Sequence, residues 1–250
     1  MKILYGLIGK DIKYSFSRKF FLEKFKKESI INTDYKIFDI PKIENIWFIF
    51  KNTCLKGCNV TIPYKTSIIP FLTKVMPEVK SIGSVNVVKI NDQHRTGFNT
   101  DILGFEYSFK KDLNQFINRK NLKALILGTG GVSKAISFVL KQLQIPYQYV
   151  SRKKNMDFLV YEDINQNLLK EYKIIINCTP LGTYPNVHAC PSLPYQYVSN
   201  KHYFYDLVYN PNKTLFLKKA EEKGALIKNG LEMLHIQADE SWKIWQNHEI

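Results

Sequence analysis

Residues 124–135 read ALILGTGGVSKA. Four consecutive apolar residues suit a short buried strand, and the Gly-Thr-Gly-Gly that follows permits a tight turn. Beyond the turn the apolar spacing changes to the period of a helix. A strand that enters a helix through glycines opens a βαβ unit, which commits this part of the chain to a parallel sheet. Gly128 and Gly130 let the backbone turn and approach a pyrophosphate seated at the helix N-terminus. Ser133 stands where a third glycine or alanine is usual, so the G-x-G-x-x-G match is incomplete. A tight turn without a ligand is the competing reading, and the βαβ context favours the nucleotide.

The next strand ends in VSRKKN (150–155). An NAD site places an Asp or Glu at this distance to hold the ribose 2′-hydroxyl. Here stand Ser151, Arg152, Lys153 and Lys154. Guanidinium and ammonium groups make charge-assisted bonds to a 2′-phosphate, so NADP is expected rather than NAD. An exposed basic turn in a lysine-rich chain is the plainer alternative.

Apolar runs and helical-period segments alternate along all 250 residues, which is the α/β pattern. Strands are predicted at Ile3–Ile8, Tyr35–Phe38, Cys58–Thr61, Ser84–Ile90, Lys123–Leu127, Tyr147–Val150, Ile174–Asn177, Phe204–Leu207 and Ala225–Lys228. Helices are predicted at Ser17–Glu28, Asp101–Leu113, Ser133–Leu143 and Thr214–Lys223. Another opens at Pro41, with Ile43, Ile46, Trp47 and Phe50 along one face. Leu231, Leu234, Ala238, Trp242 and Trp245 recur at helical spacing and form a last helix that fits either half. The polar stretch 118–121 separates a first block from a second.

The net charge is +14, with 36 Lys and Arg against 22 Asp and Glu. The lysines are scattered over solvent-type positions such as Lys24, Lys26 and Lys27, with no basic tail and no recognition motif. No nucleic-acid partner is therefore expected, though a positive field steers anionic small molecules. No apolar run approaches the ~20 residues of a membrane span. Lys10 and Asp11 interrupt the N-terminal apolar run too early for a signal peptide, so a soluble, cytoplasmic protein is expected. The four cysteines, Cys54, Cys58, Cys178 and Cys190, have no zinc-type spacing and read as reduced, packed thiols. No metal site is expected. Without a secretory signal, the glycosylation pattern at Asn59-Val60-Thr61 carries no weight.

Four more stretches gather polar residues at predicted strand ends: YSFS (14–17), GCNVTIPYK (57–65), SVNVV (84–88) and GFNTDILGF (97–105). In this order, ahead of the glycine turn, they resemble the shikimate dehydrogenase family. Its marks run from GLIG through NVTIPYK, IGSVN, NTDILGF, GTGG, NCTPLG and YDLVYNP to GLEMLHIQA, spanning Gly6 to Gln237. The resemblance implies reversible reduction of 3-dehydroshikimate to shikimate with NADPH, by an N-terminal α/β substrate-binding domain and a Rossmann-type NADP-binding domain flanking a cleft. The implied bounds are 1–104 with 231–250 for substrate and 105–230 for the dinucleotide. Lys65 and Asp101 match the family's catalytic pair. A lysine beside a carboxylate can exchange the proton of the substrate hydroxyl. By the same carry-over Ser15, Ser17 and Tyr209 bind the substrate carboxylate, and Thr61, Asn86 and Gln237 its ring hydroxyls. The cofactor contacts fall on Gly128, Gly130, Gly131, Ser151, Arg152, Lys153, Thr179, Leu207 and Gly230. A monomer or homodimer is implied.

The chain departs from the family pattern at Arg18, Phe21 and Thr183, where proline, histidine and methionine are usual. It departs again at Ser151-Arg152-Lys153, where Asn-Arg-Thr is more frequent. The departures at Ser151 and Lys153 motivate an alternative, a quinate/shikimate dehydrogenase with NAD preference.

Overall fold

The computed structural model describes residues 2–13, 15–116, 121–154 and 156–247. The chain divides into two compact units, Met1–Thr100 with Gln237–Ile250, and Asp101–Ile236. Most of the polar separator predicted at 118–121 lies outside the described residues.

The first unit contains β1 (Ile3–Gly9), α1 (Phe16–Lys27), β2 (Thr33–Asp39), α2 (Ile46–Phe50), β3 (Leu55–Val60), β4 (Lys74–Val75), α3 (Pro77–Ile82), β5 (Val87–Asn91) and β6 (His94–Phe98). Its sheet runs β2-β1-β3-β5-β6-β4 and is mixed. β1 is parallel to β2 and β3, whereas β5 is antiparallel to both β3 and β6. Side chains of β1 alternate between two apolar layers, as the two-residue period of a strand requires. Leu4 and Ile8 join Ile46, Ile49, Tyr64 and Ile68 on one side. Tyr5 and Leu7 join Phe21, Phe25 and Trp245 on the other.

Two differences from the sequence reading have physical causes. The chain after Pro41 forms a 3-10 turn at Ile43–Asn45 before the short α2. The change of pitch puts Ile46 and Ile49 inside and leaves Trp47 45% exposed. Arg95 covers the exposed side, its guanidinium 5.3 Å from the ring centroids of both Trp47 and Phe50. β6 escapes detection because HRTGF has few apolar residues, and its pairing with β5 supplies what its side chains do not.

The second unit contains α4 (Asp101–Phe116), β7 (Ala124–Leu127), α5 (Gly131–Gln142), β8 (Tyr147–Ser151), β9 (Leu159–Val160), α6 (Gln166–Glu171), β10 (Ile174–Asn177), β11 (Tyr203–Asp206), α7 (Leu215–Glu221) and β12 (Leu226–Lys228). The last helix, α8 (Leu231–Gln246), begins in this unit and ends in the first. The six strands run β12-β11-β10-β7-β8-β9, all parallel. This is the doubly wound order, and its direction of winding reverses between β7 and β10. Ligands of such sheets bind beyond the carboxyl ends of the strands at that reversal. Apolar residues of β7, β10 and β11 pack with Leu169, Phe216 and Leu217 in the core of this unit. Among the described residues, no helix is long and apolar enough to cross a membrane.

Candidate active site

In the first unit, GCNVTIPYK is the end of β3 and the turns beyond it. Asn59 is only 5% exposed. Its Oδ1 accepts a hydrogen bond from the Tyr35 hydroxyl at 2.8 Å, and its Nδ2 donates to Ser241 Oγ at 2.9 Å. A side chain so enclosed cannot carry a glycan. Thr61 N–H donates to the Ile8 carbonyl at 2.9 Å, which fixes the strand end. The buried Tyr64 anchors the next turn by donating its hydroxyl to the Ile40 carbonyl at 2.7 Å. The Lys65 carbonyl then accepts from Val85 N–H at 2.7 Å. Lys65 is thus positioned by a run of turns, and Pro63 leads into these turns rather than into a helix.

Val85 is followed by Asn86, which is 2% exposed and central to a neutral polar cluster. Asn86 Oδ1 accepts from Thr100 N–H at 2.7 Å. Its Nδ2 donates to Thr100 Oγ1 at 3.0 Å and to Gln237 Oε1 at 3.3 Å. The Gln237 carbonyl accepts from Thr100 Oγ1 at 3.0 Å and from Ser241 Oγ at 2.7 Å. Lys65 and Thr100 are therefore both tied to the 85–86 segment. Asp101, the residue after Thr100, is 4% exposed and opens α4 in the second unit.

Ser15 caps α1, its Oγ accepting from Ser17 N–H at 3.3 Å. Burial pushes the Tyr35 phenol well above its ordinary pKa. A path of hydrogen bonds runs from Tyr35 through Asn59 to the Asn86 cluster. Ser15 and Ser17 stand at a helix N-terminus, whose partial positive charge suits a carboxylate. The structure thus joins Asn86 and Gln237 to residues that the sequence reading passed over: Tyr35, Asn59, Thr100 and Ser241. Ser241 lies one helical turn beyond Gln237, which was the available signal.

In the second unit, the glycine turn leaves β7 at the reversal point of the sheet. Gly128 has a φ of +101°, which L side chains rarely adopt. Its would-be Cβ lies 3.1 Å from Thr179 Cγ2, in the loop after β10. At Gly130 a Cβ would meet nothing within 4 Å, so the turn is open to an approaching group. Gly130 gives α5 no side-chain cap, and the first helical turn, which begins at Gly131, has no acidic residue. N–H groups at such a helix start suit a pyrophosphate. Ser133 is fully buried and donates its hydroxyl to the Gly130 carbonyl at 2.7 Å. It serves the turn that a third glycine would otherwise relax.

Ser151 closes β8, and its Oγ accepts from Lys153 N–H at 3.2 Å. Arg152 and Lys153 are exposed on the turn so formed. These residues fit a dinucleotide that carries a 2′-phosphate. Across the reversal point, Thr179 donates N–H and Oγ1 to Asn177 Oδ1 at 3.0 and 2.6 Å. Leu207 follows β11, and its carbonyl oxygen lies 2.1 Å from where a Cβ at Gly230 would stand. Only glycine fits there. Tyr209 is half-buried in the following loop. Among the described residues, no group of three His, Cys, Asp or Glu is arranged for a metal ion.

The family model for the shikimate dehydrogenase substrate binding domain matches residues 7–88. A shikimate dehydrogenase (NADP(+)) of Methanococcus vannielii is 35% identical over 263 residues, covering 97% of this chain and 91% of that protein. The crystal structure of a chorismate mutase/shikimate 5-dehydrogenase fusion protein from Clostridium acetobutylicum superimposes with a TM-score of 0.83 at 34% identity. That match covers 100% of this chain and 93% of the other. A shikimate 5-dehydrogenase from Thermus thermophilus, solved with NADP(H) and shikimate, gives a TM-score of 0.82 at 26% identity, with 98% and 93% of the chains covered.

Proposed function

The chain belongs to the shikimate dehydrogenase family, and we propose that it catalyses the reversible, NADPH-dependent reduction of 3-dehydroshikimate to shikimate. Membership along nearly the whole chain carries this reading. In it the first unit binds the substrate and the second binds the cofactor. The enzyme works in the cytoplasm on dissolved small molecules.

Gly128, Gly130 and Gly131 hold the pyrophosphate of NADP, and Ser151, Arg152 and Lys153 hold its 2′-phosphate. Thr179, Leu207 and Gly230 complete the cofactor contacts. When bound, NADPH supplies the hydride. Ser15, Ser17 and Tyr209 hold the substrate carboxylate, while Thr61, Asn86 and Gln237 hold its ring hydroxyls. As the ketone is reduced, the Lys65 ammonium stabilises the negative charge on oxygen, and the Lys65–Asp101 pair delivers the proton. Asp101 orients Lys65 and bonds the same oxygen. In the oxidation direction the pair takes the hydroxyl proton away.

Support comes from the two clusters. The 85–86 segment fixes the Lys65 backbone and, through Thr100, the start of the helix that carries Asp101. The open glycine turn and the cationic turn at 151–153 match a dinucleotide of the NADP type. The decisive experiment is spectrophotometric: NADPH formation from shikimate, read in the absorbance of the reduced nicotinamide. Absence of turnover refutes the assignment. The same assay with NAD, and with quinate in place of shikimate, separates this reading from a quinate/shikimate dehydrogenase that prefers NAD.

A further inference from the structure

Four of the residues assigned to the cofactor lie around one buried carboxylate that has no assigned role. Asp206 ends β11, is fully buried, and stands in register with Asn177 at the end of β10. Asn177 in turn pairs with Leu127, the residue before Gly128. The carboxylate thus sits in the row of strand ends that faces the nucleotide in this class of sheet.

Three donors converge on it. Asp206 Oδ1 accepts from Asn177 Nδ2 at 2.9 Å and from Val208 N–H at 3.0 Å. Its Oδ2 accepts from Thr214 Oγ1 at 2.5 Å, the residue that caps α7. Two of the three bonds lead to cofactor segments. Asn177, oriented by the first bond, accepts both Thr179 donors, and the Thr179 methyl lies against Gly128. The second bond fixes the peptide after Leu207, and the Val208 carbonyl accepts from Gly230 N–H at 3.2 Å. The third ties the return of the chain into α7.

We propose that Asp206 is a positioning residue for the dinucleotide, whose buried carboxylate holds the Thr179 loop and the Leu207–Val208 loop in the arrangement that binds NADP. The proposal rests on the cofactor assignment above. A carboxylate is suited to the task because it only accepts, so three donors converge without conflict. An amide has one acceptor oxygen and must turn an N–H toward at least one of those donors. Aspartate is otherwise a costly choice at a site shielded from water. Burial pushes it from its ordinary 3.8 to about 6, against the pull of its three bonds.

The test uses the full chain and reads NADPH binding by fluorescence titration together with the KM for each substrate. Asp206→Ala is expected to raise the NADPH Kd and the NADP KM about tenfold or more, the scale of a lost buried charge-assisted network. The shikimate KM should change less than about threefold, because of the assigned substrate residues only Tyr209 lies on a segment that Asp206 holds. Asp206→Asn, which keeps one acceptor oxygen, should recover part of the loss and leave the cofactor KM about threefold above wild type. NADPH affinities within twofold of wild type in both variants would overturn the proposal. So would equal increases in both KM values accompanied by a lower melting temperature, since that marks general loosening. Should Asp206→Ala fail to fold, Asp206→Asn decides, a cofactor-selective rise supporting the proposal and unchanged affinity refuting it. A wild-type chain that binds NADPH without turning over shikimate would count against the catalytic reading and leave this one intact.

Discussion

The two units solve the problem of burying polar groups in opposite ways. Around Asn86 every partner described is neutral: Thr100, Gln237, Asn59 and Ser241 exchange amide and hydroxyl bonds. Around Asp206 the partners are also neutral, but the centre is a carboxylate with no ion pair to offset its burial among the described residues. Amides can both give and accept, so the first cluster cross-links strand, loop and helix without a net charge to desolvate. A carboxylate accepts only, so the second gathers donors from a strand end, a loop and a helix start at a cost in desolvation. The carboxylate at its centre makes the second arrangement sensitive to pH.

The largest effect is expected where the neutral cluster meets the chemistry. Lys65→Ala should lower turnover at least ~10²-fold while leaving the fold intact, because the backbone bond to Val85 does not use the side chain. Near-normal turnover in that variant would remove Lys65 from the mechanism.

Next is the pH dependence of the charged cluster. Asp206 has a folded pKa of about 6, raised above its ordinary 3.8, so the folded protein takes up this proton first as pH falls. Its burial therefore costs stability at pH 7, and the cost is relieved as pH falls through 6 toward 3.8. Cys178 and Tyr195 also feel this charge, and neither titrates in that range, since burial pushes both upward. Urea denaturation of wild type and Asp206→Asn at pH 7 and pH 5 should show wild type gaining on the variant as pH falls. The gain tends toward about 3 kcal/mol once protonation is complete. A difference independent of pH would erase the contrast between the clusters.

Glu232 supplies the opposite sign. Lys111 and Lys228 overcome the upward push of its partial burial and hold it down at about 2, below its ordinary 4.5. Its contribution is present above 4.5 and is lost as pH falls toward 2, outside the window used for Asp206.

Asn86→Ala should destabilise by about 1–3 kcal/mol, because Thr100 N–H loses its buried acceptor. That loss should be the same at pH 5 and pH 8. A strong pH dependence would point to an unrecognised charge in the neutral cluster. The smallest effect is expected at the surface of the second unit. Arg152→Ala should raise the NADP KM about tenfold and leave the NAD KM nearly unchanged, as befits one exposed charge-assisted contact. Parallel changes for both cofactors would disconnect Arg152 from the 2′-phosphate.

Much of the scaffold was legible. Ile174–Asn177 is a strand with the predicted bounds, and the ALIL-GTGG join is the predicted strand, turn and helix. These segments carry strong local signals: unbroken apolar runs and a glycine with positive φ. β6 and α2 were misread because their structure depends on neighbours. HRTGF becomes a strand through its pairing with β5, and the 3-10 start of α2 rotates the face that sequence spacing assigned to the core.

The sequence by itself determined which segments turn, which alternate, and which family motifs stand at their ends. Those properties are written in residues close together along the chain. The tertiary structure alone decided which polar groups meet inside. Asn59 finds Ser241 across 182 residues, and Asn177 finds Asp206 across 29. Nothing local distinguishes these side chains from surface residues of the same type. A buried donor must find an acceptor, and only the folded chain shows which acceptors lie within reach.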